Sequence, residues 1–117
     1  MKQISVLLLA TILLVSGCSK KTSLQKFSES ASNFNNPPEL MSNSYPIADI
    51  YRVYRKGSNS ISSLRSLREK AESAIRNFAR EKGRAYVILG QRTSEPPYLL
   101  GNYPRVEIVF ALTEKTN

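Results

Sequence analysis

Histidine and tryptophan are absent from the 117 residues, and cysteine and aspartate each occur once, as Cys18 and Asp49. Without histidine, no imidazole is available to activate a serine or cysteine nucleophile. One cysteine without histidine also excludes zinc sites built from those ligands, and it excludes an intrachain disulfide. The acids are Asp49 and scattered glutamates, with none of the spacing of a calcium loop. Glycine is scarce, at five residues, and no glycine-rich phosphate loop is present. Composition therefore points away from an enzyme and from a metal or soluble cofactor. Binding, anchoring and scaffolding remain.

The place of the lone cysteine is informative. Met1-Lys2-Gln3 carries one positive charge, residues 4–15 read ISVLLLATILLV, and Ser16 and Gly17 stand directly before Cys18. A charged start, an apolar stretch of roughly 7–15 residues and small residues at its end describe a secretory signal peptide. The run falls short of the roughly 20 residues that span a bilayer. It also lacks the polar face of an ordinary packed helix.

Val15-Ser16-Gly17-Cys18 resembles the lipobox of bacterial lipoproteins. The resemblance implies cleavage between Gly17 and Cys18, removal of residues 1–17, a diacylglycerol on the Cys18 thiol and an acyl group on its new amino terminus. The only non-protein group implied is this covalent lipid. Two or more chains anchor stably, at about 0.8 kcal/mol per buried CH₂. Lys20 and Lys21 can each add about 1 kcal/mol of attraction to anionic headgroups. In Gram-negative lipoproteins, an aspartate after the cysteine resembles an inner-membrane retention signal. Ser19 stands there instead, so the resemblance implies an outer-membrane anchor facing the periplasm in such a host.

The chain has 17 Lys+Arg against 9 Asp+Glu, a formal charge of +8, which becomes +7 without Lys2. A basic surface suits nucleic acid, anionic lipid or acidic polysaccharide. Export makes nucleic acid the wrong partner and leaves the other two.

Residues 19–44 are rich in serine, asparagine and lysine, with a Pro-Pro break and apolar residues at no sustained period. With Cys18 they read as a lipidated, flexible tether over residues 18–44. The alternative is a short helix in SLQKFSESA. The globular domain is expected over residues 45–117. DIYRVYRK (49–56) alternates as a strand, with Tyr51, Val53 and Arg55 on one face and Ile50, Arg52 and Tyr54 on the other. After the turn GSNS, a helix begins at a serine cap among residues 60–63 and ends before Gly83. Leu64, Leu67, Ala71, Ala74, Ile75, Phe78 and Ala79 form its apolar stripe. Its other face carries Arg65, Glu69, Glu72, Arg76 and Arg80, in which Arg65–Glu69 and Glu72–Arg76 have i,i+4 spacing.

AYVILG (85–90) is a continuous apolar run, expected as a strand covered on both faces or in the sheet centre. RVEIVFALTEK (105–115) alternates and reads as a third strand. The sum is a small α+β domain of order β-α-β-β, one amphipathic helix on a three-stranded mixed sheet. The helix crossover makes the first two strands parallel, and the third lies either between them or outside the second. A Leu/Ala-spaced helix ending in glycine before AYVIL, in this element order, resembles small envelope proteins of the YdgH/BhsA/McbA type and, more loosely, the Rcs stress-sensor lipoprotein. The chain departs from them in its longer 91–104 loop, and from the latter in lacking disulfide cysteines. The resemblance implies stress-related, interaction or structural roles without catalysis.

Two surfaces are candidate contact sites. The proline-held loop 91–104 offers Tyr98, Leu99, Leu100 and Tyr103 to a protein partner of the envelope, unless the leucines fold back on the sheet. Arg65, Arg76 and Arg80 offer a basic face to an anionic envelope polymer, lipopolysaccharide or peptidoglycan, unless that face is only solvated. An edge strand bearing Tyr51 or Tyr54 could also accept a partner strand.

Overall fold

In the computed structural model, which describes residues 24–114, the elements are β1 (Leu24–Lys26), β2 (Ile50–Lys56), α1 (Leu64–Lys82), β3 (Ala85–Thr93) and β4 (Arg105–Thr113). Single 3₁₀ turns occur at Phe27–Glu29 and Ile47–Asp49. The α+β class expected from the pattern is the one observed: one helix packs on one sheet.

The helix forms where the serine cap and the glycine stop place it. Ser63 Oγ accepts the Ser66 backbone N–H at 3.2 Å, satisfying a donor that the first turn leaves free. Gly83 adopts the left-handed conformation at φ 67°, and the chain turns there with Gly83 N–H on Arg80 O and Arg84 N–H on Ala79 O. Leu67, Ala71, Ile75 and Ala79 are buried along the stripe, with Ala74 and Phe78 packed beside them.

The sheet order is β1-β2-β4-β3, and every neighbouring pair is antiparallel. β2 and β3 run parallel to each other, as a helical crossover requires, but β4 lies between them. The sheet is thus not mixed in its pairing, and it has four strands rather than three. AYVILG lies in the edge strand β3, covered on both faces, while the better alternating β4 takes the centre. Val106, Ile108, Phe110 and Leu112 face the helix and meet Val53 of β2. Phe110 is the hub: its ring lies 5.8 Å from Tyr51, 6.2 Å from Phe78 and 6.4 Å from Tyr86. Such aromatic pairs add about 0.5–1.5 kcal/mol each beyond their burial.

The opposite face of the sheet is covered by residues 27–45, and here the expected tether is corrected. Phe27, Leu40 and Tyr45 pack on Ile50, Leu89, Val109 and Ala111 to form a second core. β1 adds to the edge of β2, with Leu24 opposite Val53. Within SLQKFSESA, Leu24–Lys26 is a strand and Phe27–Glu29 a 3₁₀ turn, so residues from Leu24 onward belong to the folded unit, earlier than the expected start near Tyr45. The apolar residues of this strap follow no period because each drops separately onto the sheet. Residues 18–23 of the expected tether, with the signal segment and Cys18, lie outside the described residues.

Polar anchors complete the strap. Glu107, fully buried, accepts Arg52 NH1 at 2.9 Å and Ser32 Oγ at 2.7 Å on one carboxylate oxygen. Its other oxygen accepts the Asn33 backbone N–H at 2.8 Å and Asn33 Nδ2 at 3.2 Å. Arg52 also donates to Ser30 Oγ and lies 4.7 Å over the Phe27 ring, and Arg105 lies 4.6 Å over Phe34. Farther along, Met41 N–H donates to Leu89 O at 2.8 Å, beside the β3 irregularity between Ile88 and Gly90. Gly90 must be glycine here, because a Cβ would collide with the Glu39 carbonyl oxygen.

Candidate functional site

Topology decides what meets at each end of the sheet. Register places Leu24 opposite Val53 with β1 antiparallel to β2, so the chain enters β1 from the Lys56 end of the sheet. Lys56 pairs with Arg105 at that same end, and the 94–104 loop joins β3 to β4 there. The 57–63 turn into α1 is there too. Tyr98, Leu99, Leu100 and Tyr103 thus sit at the end of the sheet away from which β1 runs, its first residue Leu24 lying opposite Val53, midway along β2.

The loop is braced at its base and bare at its tip. Ser94, buried, accepts the Arg105 N–H on its Oγ at 2.8 Å, and its N–H donates to Arg105 O at 3.0 Å. Tyr98 OH donates to Ser94 O at 2.8 Å. Asn102 Nδ2 ties the strand of the loop back by donating to Pro97 O at 2.7 Å and Glu95 O at 3.1 Å. Tyr103 packs at the loop base, with Lys56 Nζ 5.6 Å from its ring centroid. The leucines do not fold back: Leu99 is 58 % and Leu100 98 % exposed. Leu100 has φ 55°, a left-handed conformation uncommon for a residue with a side chain. In the neighbouring turn Ile61 is 86 % exposed.

At the other end lies a hollow of about 480 Å³ lined by Arg76, Ala79, Arg80, Gly83, Arg84 and Tyr86 among others. Two of the three expected arginines, Arg76 and Arg80, meet there; Arg65 does not, since it lies in the first turn of α1. The expected i,i+4 pairs are not made. Among the described residues the ion pairs are Arg52–Glu107 and Arg84–Asp49, and Arg80 NH1 donates to Asn77 Oδ1. Long exposed side chains gain little from such pairing against their lost freedom.

Arg84 and Tyr86 escaped the sequence reading, although a basic residue directly after a helix-ending glycine is a usable signal. Arg84 grips Asp49 with two bonds, 3.0 and 3.2 Å, and donates to the Thr113 and Leu112 carbonyls. The hydrogen bond from Arg84 holds the Asp49 carboxyl below its usual range, and the same bond raises the Arg84 guanidinium. Desolvation opposes both shifts and is the smaller effect. The pair fixes Arg84 against the 3₁₀ turn and leaves Arg76 and Arg80 as the cations of the hollow without an ion-pair partner among the described residues.

No group of three histidine, cysteine, aspartate or glutamate side chains that could hold a metal occurs among the described residues. No helix among them is long and apolar enough to cross a membrane. The site types on view are therefore an apolar loop tip with basic surroundings and an arginine-lined hollow. Comparison with models of protein families, with curated proteins and with solved structures finds no match to the chain.

Proposed function

We propose that the protein is a lipid-anchored cell-envelope lipoprotein that acts without catalysis, as an interaction or structural module held at the membrane. The observation that carries this reading is the placement of the lone cysteine, in Val15-Ser16-Gly17-Cys18 directly after a charged start and a twelve-residue apolar run. A chain with neither histidine nor a second cysteine gives Cys18 no competing catalytic, zinc or disulfide role. Ser19 after the cysteine favours the outer membrane, facing the periplasm, in a Gram-negative host. The β-α-β-β part of the fold, residues 50–113, adds a stress-related role by resemblance to small envelope proteins. Intact mass of protein purified from membranes tests the proposal: the expected species begins at Cys18 and carries diacylglycerol plus an N-acyl chain. A mature chain starting at Ser19, or a full-length chain with unmodified Cys18, overturns it.

The arginine hollow supports a second reading, in which the module binds an anionic envelope polymer, lipopolysaccharide or peptidoglycan. Among the described residues, Arg76 and Arg80 make no ion pair, and they line the hollow together with Tyr86, Gly83 and Ala79. Such binding depends on exposed charges and weakens steeply with salt, the Debye length shrinking from about 10 Å at 0.1 M to about 3 Å at 1 M. An Arg76→Ala/Arg80→Ala variant that binds the polymer as well as the parent protein does would refute this second reading.

A further inference from the structure

We infer that the Lys56 end of the sheet is a membrane-docking surface, at which the Leu99-Leu100 loop tip inserts into the headgroup region of an anionic bilayer beside the Cys18 anchor. The inference rests on the lipoprotein reading of Cys18 and adds an orientation to it.

Chain length carries the argument. The strap belongs to the domain, so only residues 19–23 separate Cys18 from β1. Six residue steps reach at most about 20 Å when fully extended. A lipid anchor at Cys18 therefore keeps the start of β1 within about that distance of the headgroups. A loose 26-residue tether would have left the domain free to face any way; this short lead does not.

Direction carries the second step. The chain enters β1 from the Lys56 end, where the 94–104 loop and the 57–63 turn also project. β1 starts midway along β2 and runs away from the Lys56 end, and that end is the one that exposes Leu99, Leu100 and Ile61. Leu100 is held almost fully exposed and in left-handed backbone, with Leu99 exposed beside it. Strained conformations persist where the surroundings impose them, and they gather at functional positions. Here the Tyr98–Ser94 and Asn102–Pro97 bonds hold the tip out.

Charge completes it. Lys56, Arg65, Lys70 and Arg105 lie at or near this end, and Lys20 and Lys21 precede β1 in the chain. Against them stand the exposed acids Glu69 and Glu95. Apolar tips within a basic surround are the composition of an interfacial binding surface, in which apolar insertion and attraction to anionic lipid act together. The helix C-terminus and the arginine hollow then point away from the membrane, about 28 Å distant along a 19-residue helix.

The chain has no tryptophan, so an introduced one is a clean reporter. The acylated full chain carries Ser58→Trp in the membrane-end turn, or Glu81→Trp at the far end of α1. Each is reconstituted in phosphatidylethanolamine–phosphatidylglycerol vesicles containing brominated lipid, after intact mass has verified the acyl groups and circular dichroism the fold. Docking predicts quenching several-fold stronger for Ser58→Trp than for Glu81→Trp. Adding Leu99→Asp/Leu100→Asp should bring Ser58→Trp down to the Glu81→Trp level, and phosphatidylcholine vesicles or high salt should weaken it. Equal quenching at the two positions of an acylated protein overturns docking and leaves the lipoprotein reading standing. So does quenching at Ser58→Trp that the aspartates do not change, and so does protection of the tip only when a second protein is added. A protein without acyl groups overturns both readings together.

Discussion

Replacing Glu107 with glutamine is the sharpest test of how the strap is held. The side chain is fully buried at the centre of the strap face and accepts four donors: Arg52 NH1, Ser32 Oγ, Asn33 N–H and Asn33 Nδ2. Glutamine has nearly the same shape, so packing is preserved while the charge is lost. One carboxylate oxygen becomes an NH₂ group facing donors, and Arg52, 6 % exposed, is left as an unneutralised buried cation. Breaking one side of a buried ion pair costs about 3–5 kcal/mol. That is a large share of the about 5–15 kcal/mol total of an ordinary domain. Chemical denaturation of the detergent-solubilised protein should show the loss as a lower midpoint. Amide exchange should localise it, with the Asn33 N–H losing about 100- to 4000-fold protection, since each 1.4 kcal/mol is tenfold, while β4 amides lose less. A loss below about 1 kcal/mol, or uniform loss across strap and sheet, would refute the claim that this carboxylate is the strap's anchor.

Gly90→Ala sets a methyl against the Glu39 carbonyl oxygen and should cost about 1–3 kcal/mol, as overpacking does; amide exchange at Met41 reads it directly, through its bond to Leu89 O. Gly83→Ala meets no neighbour but keeps a left-handed φ of 67°, so it should lower stability by about 1 kcal/mol in thermal melts through backbone strain alone. Asp49→Asn addresses pH dependence. Because the hydrogen bond from Arg84 lowers the Asp49 pKa in the folded state, the pair's stabilisation is present above the usual carboxylate range and lost as pH falls through the depressed folded value. The variant should therefore be less stable than the parent at neutral pH and converge with it in strong acid, with salt narrowing the gap because both side chains are partly exposed. Ser63→Ala should cost about 1 kcal/mol of thermal stability by removing the cap on Ser66 N–H.

The domain was most legible where local chemistry and burial agree. The helix could be read from its stripe, its serine cap and Gly83, and β2 and β4 from alternation, because each of these buries one set of residues on one face. The strap was illegible for the converse reason. Leu24, Phe27, Leu40 and Tyr45 are spaced by no repeat, and polar residues between them bind a glutamate and arginines far along the chain. A serine- and asparagine-rich segment with such partners has the same composition as a loose linker. The charged helix face misled in a milder way, since i,i+4 spacing offers ion pairs that exposed side chains do not make.

The sequence by itself determined the helix, the three long strands, the parallel run of the first two of those strands, and the lipobox-like setting of Cys18, because each is a matter of neighbours along the chain. Only the tertiary structure decided that β4 is central, that residues 24–26 extend the sheet, that residues 27–45 close its second face, and that Glu107 is a buried anchor. It alone gathered the loop tip and the 57–63 turn at one end and set β1 running away from that end. Those outcomes depend on strand register and on which side of the sheet a returning segment covers, and the free energy that selects them comes from contacts between residues as much as 75 positions apart. The lead between Cys18 and the domain is short for the same reason: it is what the strap left over.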